Sequence, residues 1–95
     1  MHLYVIVHEQ EVNDELGWGV PSSIKVYGEI QEIKQMYAYR SVDGDPTVIP
    51  ADLPAPSDDL LVHVCGSSLD VCIPKQLEAL QRAGYNAKIS SASIF

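Results

Sequence analysis

The chain has 95 residues, 46% of them apolar, enough for one small core and too few for a second. Its formal net charge of −7 is concentrated in residues 1–59, where eleven acids face only Lys25, Lys34 and Arg40 (a net of −8), while residues 60–95 carry +1. Such an acidic half repels phosphate backbones and argues against nucleic-acid binding, and no apolar run approaches the ~20 residues of a membrane span.

Cys65 and Cys72 form neither a disulfide framework nor a zinc spacing, and Met1-His2-Leu3-Tyr4 lacks the basic start of a secretory signal. A reducing, cytosolic setting is therefore expected. No motif calls for a cofactor.

In chain order, Leu3 to Val7 is a five-residue apolar run rich in β-branched types and predicts an interior strand. His8 to Leu16 carries Glu9, Glu11, Asp14 and Glu15 with only Val12 and Leu16 apolar, and reads as an exposed loop or a short helical turn. His8 with Glu9, Glu11 and Asp14 could in principle hold a metal, but no His/Cys spacing supports one and none is expected. Trp18, the only tryptophan, sits between Gly17 and Gly19 and is read as a plug over the core, with a lid over a ligand as the alternative.

Ile24 to Ile33 alternates loosely through Ile24, Val26, Gly28 and Ile30 and predicts a strand, with a helix from Glu29 as the rival reading. Met36 to Val42 is expected to pair with Thr47 to Ile49 across the turn Asp43-Gly44-Asp45-Pro46 as a hairpin. Three prolines between residues 50 and 59 then predict an extended surface connection.

The clearest pattern runs from Leu60 to Ile89: a covered strand (Leu60 to Val64), a bend at Gly66-Ser67-Ser68, a helix near residues 71–83 and a second strand. Ile73, Leu77 and Leu80 form the helix's apolar stripe. Asp70 is the expected N-cap, Pro74 confines the helix start, and Gly84 is the expected left-handed stop with Tyr85 packing back on Leu80. His63, on the same strand face as Leu61 and Cys65, reads as a hydrogen-bonded core histidine. Ser90 to Ser93 is small and polar, and Ile94-Phe95 is an apolar end that could dock on the core or on a second copy.

Cys72 is the sharpest chemical candidate. At a helix N-terminus its thiol would meet a dipole and free amides that favour thiolate and could stabilise an oxyanion. The bland alternative is core packing.

Gly66-Ser67-Ser68-Leu69-Asp70-Val71-Cys72-Ile73, followed by Ala79 and Gly84-Tyr85, resembles the segment around the nucleophile of isochorismatase-like cysteine hydrolases. Val5-Ile6-Val7-His8-Glu9-Gln10 is similar to that family's first strand, and Lys34 before Tyr37-Ala38-Tyr39 to the region of its catalytic lysine. The resemblance implies Cys72 as nucleophile and Lys34 beside it, with His8 standing where the family has its catalytic aspartate. The chain is about half the family's usual length, and a shortened, non-hydrolytic relative fits the resemblance equally well. Cys65, the turn, the helix and Ala83-Gly84-Tyr85 also resemble rhodanese domains, but residues 66–71 hold no arginine to serve persulfide chemistry at Cys65.

The expected molecule is a single small α/β or α+β domain: a mixed sheet, a C-terminal β-α-β unit and one principal helix. The expected function is an acidic accessory or binding protein, self-associating, for a protein partner or small molecule. Gly66, Ser67, Ser68, Asp70 and Trp18 are its binding candidates. The alternative is a thiol-dependent hydrolase using Cys72, Lys34 and His8.

Overall fold

The computed structural model describes residues 1–94 and has α/β architecture. The side chain of Ile94 and the whole of Phe95, whose docking the sequence raises, lie outside the described residues. In order the elements are β1 (His2–Val7), α1 (Glu9–Gly17), α2 (Pro21–Met36), β2 (Ala38–Val42), β3 (Leu61–Ser67), α3 (Cys72–Arg82) and β4 (Asn86–Ile94). The strands form one sheet in the order β2-β1-β3-β4.

All three pairings are parallel, which corrects the expected mixed sheet. The two central strands are covered on both faces, as their unbroken apolar runs require. Leu3, Val5 and Val7 of β1 and Val62 and Val64 of β3 join Ile73 and Leu80 of α3 in one core. Ile6 and Cys65 face the other way, into a second core with Val12 of α1 and Val26, Ile30 and Ile33 of α2.

Three helices form rather than one. The segment read as a strand from Ile24 to Ile33 lies wholly within α2. Pro21 stands in its first turn, and Val26, Ile30 and Ile33 recur at helical spacing to bury one face. The acidic stretch after β1 is helical too. Glu9 and Glu11 sit in the first turn of α1, where the helix dipole favours acids, and Gln10 Nε2 donates to Asp14 Oδ1 at 2.9 Å.

The expected hairpin is absent. β2 pairs with β1, Leu3 opposite Ala38 through Val7 opposite Val42, and Thr47 to Ile49 form no strand. The turn chemistry is nevertheless real: Asp45 Oδ1 accepts from Thr47 N at 2.9 Å and from its Oγ1 at 2.7 Å. From there the chain crosses to β3 over the α3 side of the sheet, where Ile49 and Leu53 pack on the core. The buried Gln76 of α3 catches this crossover, donating from Nε2 to Pro46 O at 2.9 Å and Val48 O at 3.0 Å.

The helix expected at 71–83 forms as α3. Gly84 has φ +93°, its N–H donates to Gln81 O at 3.0 Å, and Tyr85 N–H donates to Leu80 O at 3.0 Å, the two bonds of a Schellman stop. Asp70 is not the N-cap. Val71 holds that position without a side-chain bond, and Asp70 instead accepts from Ser68 Oγ within the turn.

Candidate functional site

In a parallel sheet the chain leaves the carboxyl ends of the strands in different directions, and a crevice opens where adjacent strands diverge. Here β1 runs on through α1 and α2 to β2 on one side, while its neighbour β3 runs on through α3 to β4 on the other. The divergence therefore lies between Val7-His8 and Gly66-Ser67-Ser68.

Gly66 makes this junction possible. It has φ +105°, and a Cβ there would stand 2.1 Å from Val7 O, so only glycine lets the two strand ends approach this closely. Beyond it the Ser67–Ser68 peptide is cis. On the β1 side, His8 takes a left-handed conformation (φ 49°, ψ 52°) and turns the chain into α1. Its backbone N–H donates to Val42 O at 2.8 Å and its Nε2 to Gly44 O at 2.8 Å, which ties down the ends of β1 and β2.

Ser67 is buried, and its Oγ donates to Glu11 Oε2 at 2.8 Å, joining the end of β3 to α1. A cleft of about 230 Å³ opens there, lined by Glu11, Asp14, Glu15, Trp18, Ser67 and Ser68. A second, larger and more open hollow of about 530 Å³ also touches Glu11 and is lined by His8, Gln10, Glu11 and Asp43. The cleft's lining carries three carboxylates and no cationic side chain. Trp18 is 79% exposed, so it does not plug the core, and it forms part of the cleft wall.

The binding candidates Ser67, Ser68 and Trp18 thus meet in one cleft, with Gly66 as the backbone notch beneath it and Asp70 bonded to Ser68 at its margin. Glu11, Asp14 and Glu15 were missed as lining residues. Their spacing carries the signal, since positions three and four apart share a helix face once α1 is known to be helical.

The catalytic candidates are not brought together. Cys72 is the first residue of α3, half-buried against the α3-side core, and it lines neither opening. Lys34 belongs to α2, on the other face, where its Nζ donates to Glu9 Oε2 at 2.7 Å and lies 5.6 Å from the Tyr39 ring. His8 borders the second hollow, its Nδ1 3.7 Å from Glu11 Oε1. Two of the amides beside Cys72 are committed, since Ser68 O accepts from Ile73 N at 2.8 Å and Val71 N at 3.4 Å, and Pro74 has none to give. Cys65 is sealed in the second core, and burial, with Glu9 nearby, pushes its thiol up to about 12, so it stays protonated at neutral pH.

Among the described residues no group of three or more His, Cys, Asp or Glu is arranged to hold a metal ion, and no helix is long and apolar enough to cross a membrane. Compared with family models, curated proteins and solved structures, the chain finds no match.

Proposed function

We propose that this chain is a binding domain whose cleft between α1 and the end of β3 receives a positively charged group. One observation carries the reading: the three carboxylates of α1, the Trp18 ring and the Ser67-Ser68 turn line the same opening, with no cationic side chain among them. The carboxylates attract an ammonium or guanidinium, the indole face adds a cation–π contact of roughly 0.5–1 kcal/mol, and the serine hydroxyls orient the donor. Two separate candidates in the sequence, the acidic face and the Ser67-to-Cys72 turn, contribute Glu11, Asp14 and Glu15 from the first and Ser67 and Ser68 from the second to the same opening.

Trp18, as the only tryptophan, reports directly on occupancy. Titration with argininamide or spermidine at low salt should shift its fluorescence saturably, the response should weaken as salt is added, and Glu11→Gln with Glu15→Gln should abolish it. A flat titration, or an undiminished response in the double variant, would sink the reading.

A second reading keeps Cys72 as the nucleophile of an isochorismatase-like thiol hydrolase. Its support is that α3 begins at Cys72, just beyond the carboxyl end of β3. Alkylation by iodoacetamide separates the two. A Cys72 that reacts no faster than a free small thiol near neutral pH removes the hydrolase.

A further inference from the structure

The end of the sheet opposite the cleft holds an arrangement that cation binding does not use. His2 of β1 and His63 of β3 are diagonal neighbours, since Tyr4 lies opposite His63 and Leu61 opposite His2. The rings form a short stack: Tyr4 on His63 with centroids 4.5 Å apart, and His63 on His2 at 5.0 Å. Tyr37 closes the side, 5.0 Å from Tyr4 and 6.1 Å from His2. Within the stack, His2 Nδ1 and His63 Nε2 face each other at 2.8 Å. His63 is 8% exposed and held by its neighbours, while His2 is exposed and leaves the pair open on its outer side.

We propose that His2 and His63 form a two-histidine site for a divalent late transition-metal ion, copper(II) ahead of zinc(II). The preference follows from the general order of affinity for nitrogen donors, in which copper(II) stands above zinc(II). The facing nitrogens lie 2.8 Å apart on a shared hydrogen bond, and a rotation of the exposed His2 ring turns both lone pairs toward one ion at about 2.0–2.1 Å from each.

The protons balance without release. The pair shares one N–H between the facing nitrogens, and ligation by both moves that proton to the far nitrogen of the same ring, leaving both imidazoles neutral. No carboxylate belongs to the pair, which excludes the hard cations calcium and magnesium. Lys88, opposite His63 on β4, limits affinity, and water completes the coordination.

The test is titration of the full chain with copper(II) and separately with zinc(II) near neutral pH, following visible absorbance and the nitrogen couplings in the electron paramagnetic resonance spectrum. One equivalent of copper should bind with two imidazole nitrogens, about tenfold or more tighter than zinc. His2→Gln, at an exposed strand end, and His63→Phe, which keeps a ring on Tyr4, should each weaken copper binding by about tenfold or more at unchanged circular dichroism. Full-strength copper binding in folded His63→Phe would mean capture by His2 and adjacent backbone alone, and would overturn the proposal. If His63→Phe does not fold, fewer than two coupled imidazole nitrogens in the parent chain overturn it instead. Zinc binding as tight as copper overturns the assignment to a copper-preferring pair of nitrogen donors.

Discussion

The two crossover units of this molecule are alike in plan and unlike in how they are specified. In β3-α3-β4 most local preferences agree with the fold: Pro74 confines the helix start, Ile73 and Leu80 lie in one core with Leu77 packed against it, Gly84 stops the helix, and Arg82 bonds Glu78 at 2.6 Å one turn back. In β1-α1-α2-β2 the local preferences are weak or contrary. α1 buries only Val12, and α2 carries Gly28 at its centre together with β-branched and aromatic residues. That unit is held by what it packs against, through Ile6 and Cys65 of the sheet, rather than by its own propensity. The cleft lies where the two units touch: α1 supplies its acids, and the end of β3 supplies its serines.

The sharpest way to break this comparison is at the notch that joins the units. Gly66→Ala forces a methyl group to 2.1 Å from Val7 O, against backbone that cannot swing aside, at a φ that L-residues rarely adopt. It should cost about 3 kcal/mol or more, read as a fall in the urea midpoint, and should abolish the Trp18 response in whatever remains folded. A loss below about 1 kcal/mol would mean that the two strand ends do not meet as described.

This contrast also accounts for what could be read in advance. The β3-α3-β4 unit was legible because a strong stripe, a proline and a glycine mark it locally. The Gly66-Ser67-Ser68 bend was legible for the same reason. α2 was hidden by coincidence: Ile24, Val26, Gly28 and Ile30 alternate like a strand, while Val26, Ile30 and Ile33 also satisfy a helix, and only packing on the sheet decides between them. The Asp43-to-Pro46 turn was recognised, but a turn does not say where the chain goes next. Gln76, thirty residues away, helps to set that by holding Pro46 O and Val48 O. The cleft was half legible, because its serines sit in a marked bend and its acids in a helix the sequence only faintly announces.

A smaller effect of opposite sign sharpens the comparison from the weak side. Gly28 is exposed in mid-helix, and an added Cβ would meet nothing within 4 Å. Gly28→Ala should therefore stabilise the chain by about 1 kcal/mol, measured by the same urea titration. A loss would show that residues 21–36 are not held as one helix.

The smallest expected effect is a slope with pH, and it tests whether His63 is buried between its neighbours at the end of the sheet opposite the notch. His63 is held below its ordinary value by burial first, then by His2 and Lys88. Tyr4, Tyr37, His2 and Lys88 are the titratable groups around it. Below about pH 6.5, the ordinary histidine value, the unfolded chain takes up a proton that the folded chain resists. The unfolded state then binds more protons, so stability from this group is full above that pH and is lost as pH falls through the lower folded-state value. Urea midpoints measured from about pH 7 down to pH 5.5, above the range where most carboxylates titrate, should fall in the parent chain. They should fall less steeply in His63→Phe, which has no proton to accept and keeps a ring against Tyr4. Equal slopes in the two chains would assign the acid sensitivity to groups other than His63.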